Sequence, residues 1–393
     1  MKYDLLIKGG KIVDPSQGLN ADRDLALSNG KVASIQEHID PIQCRETIDA
    51  SGMIVSPGLI DMHIHAYWGA STYGIDPDIS NISTGVTTAL DAGSAGSLTF
   101  PAFRKHVIER SDTKLYALLN ISATGMLSSK IGEVEDMKWA DVDEVINSGR
   151  ENREYVIGVK ARLAKHILGD SDDVEILSRA IEAAEGFGGF VMVHIGNNPT
   201  SLNSLMDMLR PGDVITHSFH GFEDGVLEES GTVLEGMKEA QKRGVFIDIG
   251  HGGGSFSFRA AARALENGLL PDTISTDIST ISIEGPVYDL VTTMSKMMHL
   301  GMTLDQVVER STYIPARAMR LDHRIGTLRI GSDGDVVIMR LQDGVFTMHD
   351  RLSTMTKLGS AKKWEIGTSI EASSRLFHEH TVADGRLYRP WLK

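Results

Sequence analysis

The sequence predicts an α/β protein, a (β/α)8 barrel of the TIM type carrying a small β-sandwich-like domain built from both chain ends. Three observations lead there. Between residues 56 and 320, short apolar runs alternate with longer helical patterns. Those runs are apolar almost throughout, as parallel strands covered on both faces must be. Outside that span, at 1–55 and 321–393, the texture changes to short alternating segments punctuated by turns.

In chain order, residues 1–55 read as the N-terminal part of a β domain. The segments "DLLIKGGKIVD", "RDLALSNGKVASI" and "ETIDASGMIV" are strand-like, with Gly9-Gly10 and Asn29-Gly30 at hairpin-like positions. The barrel strands then read as "GLIDMHIH", "GVTTALDAG", "LYALLNISA", "YVIGVKAR", "GFVMVHIG", "DVITHSF", "GVFIDIGHG" and "TISTDIS". Helical patterns lie between them. In "DDVEILSRAIEAAEGFG", Ile176, Leu177, Ala180, Ile181 and Ala184 form one apolar stripe, and Gly186 and Gly188 end it. Eight strands with their helices in about 225 residues fit a closed barrel better than an open doubly wound sheet, and no glycine fingerprint for a dinucleotide is present. After "VYDLVTTMSKMMHLG" and "TLDQVVERSTYIPARAMR", residues 321–393 return to β texture and pair with the N-terminal module.

Composition narrows the function classes. The chain has 393 residues, 41 % hydrophobic and 6 % aromatic, enough for a large core and more than one domain. One cysteine, Cys44, excludes an intrachain disulfide, and the first residues carry neither a basic n-region nor a signal-peptide apolar stretch, so a cytoplasmic location is expected. No window approaches the roughly 20 apolar residues of a membrane span. A net charge of −14 argues against nucleic acid or anionic lipid as partners. A small-molecule substrate and a homo-oligomeric state are the expectation.

The stretch "LIDMHIHAYWG" sets His63 and His65 one residue apart at the end of an apolar run, and on a strand residues i and i+2 share a face. Active sites of such barrels lie at the C-terminal ends of the strands. There the sequence sets His63 and His65 on strand 1, Lys160 on strand 4, His194 on strand 5, His217 on strand 6 and Asp277 on strand 8. Taken singly, each has an ordinary structural reading, such as a hydrogen-bonded core histidine, a snorkelling lysine or a capping aspartate. Six at one rim are much harder to explain that way. His220 rivals His217 but lies in the loop; Lys165 and His166 rival Lys160 but fall beyond the apolar core of the strand; Asp272 precedes strand 8. The remaining histidines, such as His106, His299 and His378, read as surface or structural.

This set resembles the amidohydrolase superfamily in its two-metal form. The order His-x-His, Lys, His, His, Asp on strands 1, 4, 5, 6 and 8 is that family's pattern, and "ASGMIVSPGLIDMHIH" and "IGTLRIGSDGDVVIM" look like its passages into and out of the barrel. The resemblance implies that Lys160, carboxylated by carbon dioxide, bridges two divalent metals. His63, His65 and Asp277 would hold one, and His194 and His217 the other. Histidine ligands suit zinc, with manganese or iron as alternatives. A shared water of lowered pKa would attack an sp² carbonyl carbon, with Asp277 as base and then acid.

The loops after strand 7, "DIGHGGGSFSF", and strand 2, "DAGSAG", resemble the deacetylase-like, dihydroorotase-like branch. That resemblance implies hydrolysis of an acyl group, acetyl in the first instance, from an amide or ester of a small carboxylate-bearing molecule such as an N-acetyl amino acid. His251, Gly252 and Gly253 are candidates to meet the substrate carboxylate through exposed N–H groups, although the same glycines also read as a turn into a helix. Arg162, two residues beyond Lys160 on the same face, is a second candidate. A cyclic amide hydrolase and a nucleobase deaminase stay open. A non-enzymatic scaffold is disfavoured because no ligand position is missing.

Overall fold

The computed structural model describes residues 1–128, 130–351 and 368–390. Five strands open the chain: β1 Tyr3–Asp14, β2 Leu19–Ser28, β3 Lys31–Gln36, β4 Cys44–Asp49 and β5 Ile54–Pro57. Barrel strands follow as β6 Leu59–Ile64, β7 Val86–Asp91, β8 Lys114–Asn120, β9 Val156–Arg162, β10 Phe190–His194, β11 Val214–Thr216 and β12 Phe246–Ile247. The chain ends in β13 Val336–His349, β14 Ser369–Ala383 and β15 Arg386–Leu387.

Both chain ends build one sheet, in the order β15-β14-β13-β5-β1-β2-β3, with β4 pairing β1 as a side branch. Asn29-Gly30 is the hairpin turn the sequence suggested, with φ of 53° and 74° joining β2 to β3. Gly9-Gly10 is not a turn. It is a bulge inside β1, where the register with β2 shifts and the strand exchanges β4 for β5 as its parallel neighbour. Gly9 has φ +70° and donates to Asp24 Oδ1 at 2.8 Å, while a Cβ on Gly10 would fall 2.4 Å from Val55 Cγ2. The sheet curls around a core that includes Leu5, Ile12, Leu25, Val55, Val336 and Val382.

The second sheet runs β6 to β12 in sequence order, all parallel. Its eighth member departs from the expected strand. Residues 273–278 close the barrel through isolated bridges, Asp248 with Thr273 and Ile64 with Ile278. Backbone bonds Ile249 N to Thr273 O (3.1 Å), Asp277 N to His63 O (2.7 Å) and His65 N to Ile278 O (3.1 Å) complete the closure. Regular pairing fails there for a local reason. Thr276 turns its amide and hydroxyl to Asp61 at 3.0 and 2.5 Å, and Asp277 takes φ +48°, which interrupts an extended run.

Helices pack outside, and their apolar faces join the largest core cluster. The helix Asp173–Phe187 buries Ile176, Leu177, Ala180, Ala183 and Ala184, is capped by Asp172 and ends at Gly188 in the left-handed region. The helix Leu290–His299 is buried from Leu290 through Met297, because β14 lies against it: Leu376 N donates to Ser295 Oγ at 3.0 Å. β5 runs into β6 through Gly58, whose Cβ would lie 2.2 Å from Thr87 Oγ1. Only glycine allows so close a passage from one sheet to the other.

Candidate active site

His63, His65, Lys160, His194, His217 and Asp277 all line one cavity of about 560 Å³. Their proximity follows from strand order, since five lie in the C-terminal half of a strand or just beyond its end and Asp277 lies on the segment that closes the barrel. Donor atoms of His63, His217 and Asp277 lie within 4.8 Å of one another. Asp277 Oδ1 is 3.0 Å from His65 Nε2 and 3.5 Å from His63 Nε2. The His194 and His217 rings are 4.3 Å apart, and Lys160 Nζ is 3.1 Å from His63 Nε2. His217 and Asp277 have φ of 67° and 48°, uncommon for residues with a Cβ. Backbone strain of this kind concentrates at functional sites.

The hydrogen bonds behind the imidazoles decide which nitrogen faces the cavity. Thr216 donates its hydroxyl to Asp248 Oδ2 at 2.7 Å, so at 2.8 Å it accepts from His63 Nδ1. His217 Nδ1 can only donate to Gly250 O, at 2.6 Å. Ser94 Oγ meets His65 Nδ1 at 2.9 Å, and its amide donates to Asp91. For His63 and His217, Nε2 is therefore the nitrogen that carries the lone pair, which in His63 faces Lys160 Nζ. Burial pushes His63 and His194 well below the ordinary imidazole range and His217 down to about 3, so these rings are neutral. Neutral imidazoles with aimed lone pairs, an aspartate and a buried lysine are a donor set that fits divalent metal ions.

Burial also pushes the Lys160 amine down to about 7, with Arg162 adding to the effect and Asp277 opposing it. For Asp277, burial acts upward, but His65, His217 and Lys160 outweigh it and hold the carboxyl below its ordinary value.

Three buried carboxylates behind the cavity, Asp61, Asp91 and Asp248, were not singled out from sequence. Asp248 accepts from Thr216, Thr273 and Ser275, and Asp91 from the amides of Ala66 and Ser94. Their signal was available, since each is an acid inside an apolar run: "LIDMH", "ALDAG" and "FIDIG".

The expected substrate residues divide. Arg162 and Gly253 line the cavity, whereas His251 and Gly252 do not. His251 is fully buried, its Nδ1 bonded to Gly252 O at 2.9 Å and its Nε2 to Lys296 Nζ at 2.8 Å, which leaves neither nitrogen for a substrate. Gly252 instead makes room for Asp277, since a Cβ there would fall 2.4 Å from Oδ2. Arg162 is ion-paired to Glu133 and lies 6.0 Å from the Tyr73 ring. Lys165 and His166, set aside as rivals of Lys160, belong to the cavity wall, as do Arg351, Phe222, Met126 and Ile281.

Residues 54–365 match the model of the amidohydrolase family. A deacetylase of Agrobacterium fabrum is 34% identical over 351 residues, covering 88% of this chain and 86% of that protein. The crystal structure of an adenine deaminase superposes with a TM-score of 0.88 at 32% identity, covering 98% of this chain and 99% of the other. That of a dihydroorotase does so with a TM-score of 0.85 at 30% identity, covering 98% of each.

Proposed function

The chain belongs to the amidohydrolase family and is a hydrolase of carbon–nitrogen bonds, and we propose that it removes a small acyl group, acetyl in the first instance, from an amide or ester of a carboxylate-bearing molecule. One observation carries the reading of the substrate. Around the cavity, Lys165 and Arg351 supply positive charge, with Arg162 beside them sharing its own with Glu133, whereas Asp277 is the one carboxylate among the described lining residues. Such a wall attracts an anion and offers a neutral purine little. Tyr73, Phe222, Met126 and Ile281 add apolar surface for a hydrocarbon side chain. Relatives named deacetylase support the same reading.

In this reading His63, His65, Lys160, His194, His217 and Asp277 are the ligands. Two divalent metals held there, zinc by the preference of imidazole donors, would supply an ionised water at neutral pH and charge to polarise the acyl carbonyl. Lys160 is the amine that takes up carbon dioxide, since an amine kept partly neutral near pH 7 can attack the carbon and lose a proton to become a carbamate. Asp277, within 3.0 Å of His65, accepts a proton from the attacking water and returns it to the leaving nitrogen or oxygen. Arg162 and Lys165 hold the carboxylate and so fix which face of the acyl carbonyl is presented.

A second reading, a cyclic amide hydrolase, has Arg162 and the dihydroorotase likeness in its favour. Kinetics on N-acetylated D- and L-acids, acetyl esters, dihydroorotate, a hydantoin and adenine separate the readings. The highest kcat/KM is expected on an acetylated acid of one hand. Arg162→Met should lower it by roughly tenfold or more while leaving an uncharged analogue little changed. Faster turnover of dihydroorotate, a hydantoin or adenine than of every acylated acid would overturn the proposal.

A further inference from the structure

Lys296 is fully buried in the middle of the helix Leu290–His299, does not line the cavity and has no carboxylate in ion-pair contact among the described residues. A methionine would fill that volume without the cost of desolvating an amine, so the amine needs a reason. Its two partners supply one. Nζ lies 2.8 Å from His251 Nε2 and 2.7 Å from Pro286 O. His251 lies in the loop after β12, whose Gly253, Gly254 and Ser255 form one stretch of the cavity wall. Pro286 belongs to the loop after the eighth barrel segment, whose Ser279 and Ile281 form another.

We propose that Lys296 is a positioning residue that clamps these two loops to one point, and that His251 serves substrate recognition through this clamp rather than by contact. His251 suits the task. Its Nδ1–H is committed to Gly252 O, so Nε2 must accept from Lys296, and its ring stacks on Phe256 with centroids 4.5 Å apart and planes 20° from parallel. From there the restraint passes to the site. Gly252 N bonds Thr276 O at 2.8 Å, and the Gly252 Cα backs onto the Asp277 carboxylate. On the other arm, the Ser282 hydroxyl donates to Asp277 O at 3.2 Å, and Gly285 N bonds Ser282 O at 3.1 Å. Both arms of the clamp converge on the residue that handles the proton. The helix carrying Lys296 is itself pinned by β14, through Leu376 N to Ser295 Oγ and Arg375 Nη2 to Thr292 Oγ1 at 2.9 Å.

Hydrogen exchange on the full chain tests this without a substrate. In Lys296→Met, amides of residues 251–258 and 279–288 should both exchange roughly tenfold faster, the barrel helices remaining as in the wild type. In His251→Phe, which keeps the stacked ring and removes the acceptor, only 251–258 should loosen. The double variant removes both buried polar partners, keeps the fold and should loosen both loops. A second arm rests on the deacylase reading: metal content unchanged, KM on the best acylated acid raised about tenfold through the loosened walls, and kcat per metal-loaded site lowered about threefold or more through Asp277. Exchange that rises in neither loop, in one loop only for Lys296→Met, or uniformly over the barrel overturns the clamp. Failure of every acylated acid as substrate overturns the function and leaves the exchange result to decide the clamp.

Discussion

Thr216 sets the tautomer of His63, because its own proton is committed to Asp248. Thr216→Val should therefore leave the ring in place but free to offer the wrong nitrogen. Zinc affinity is expected to fall about 10- to 100-fold in a competition with a fluorescent chelator, and unchanged affinity would sink the assignment. Gly252 poses a sharper steric question. With φ +57° and space for a Cβ only 2.4 Å from Asp277 Oδ2, Gly252→Ala must push the carboxylate aside. We expect kcat to fall by about tenfold or more, whereas Gly268→Ala, at a similar φ with nothing near, should leave kcat alone. The six cavity residues were legible in the sequence because an ionisable group in an apolar run is expensive and must have a partner. Asp61, Asp91 and Asp248 gave the same signal, but whether such an acid faces the cavity or the hydroxyls behind it depends on rotamers and on strands far away in sequence. The place of His251 is hidden from the sequence for that reason: its partner, Lys296, lies 45 residues on and on another element.

Among the elements, β6 to β10 were readable because both faces are largely covered and most residues between the ionisable ones are apolar. Of the last two barrel positions, β12 is a strand of only two residues and the eighth is a segment held by isolated bridges. Thr273, Ser275 and Thr276 spend their hydroxyls on Asp248 and Asp61, and side-chain bonds there take over part of the work of a ladder. Gly9-Gly10 shows a different limit. A glycine pair marks a backbone irregularity, but a turn and a bulge share that local signature, and only the neighbouring strands distinguish them. The bulge gives a prediction of its own. Gly10→Ala meets Val55 Cγ2 at 2.4 Å and should destabilise the fold by about 1–3 kcal/mol in urea titration. Activity per folded molecule should be unchanged, since the strand lies in the other sheet.

At the scale of the whole molecule, the two sheets are tied by a charged cluster at the start of β8. Lys114 Nζ lies 2.8 Å from Asp335 and 2.6 Å from Asp384, while Asp333 takes Lys31 at 2.6 Å and Arg324 at 2.8 Å. Burial pushes Asp333 up, but Lys31, Lys114 and Arg324 outweigh it and hold its carboxyl at about 2. Its folded pKa is thus below the unfolded one. The stabilisation is present above about pH 4 and is lost as the pH falls towards 2. Melting temperature should drop across that window, and Asp333→Asn should flatten the drop. Asp335→Asn should not, because burial raises the Asp335 carboxyl and its contribution has the opposite sign. The shared sheet also has a consequence in time. β5 is hydrogen-bonded to β1 on one side and β13 on the other, yet β13 leaves the ribosome roughly 280 residues after β5, on the order of half a minute of synthesis. Until β13 is made, the β5 edge from Ile54 to Pro57, which is apolar and buried in the finished sheet, lacks its partner on that side. A strand made late therefore covers one made early, and a chain ending before β13 would leave that edge unpaired.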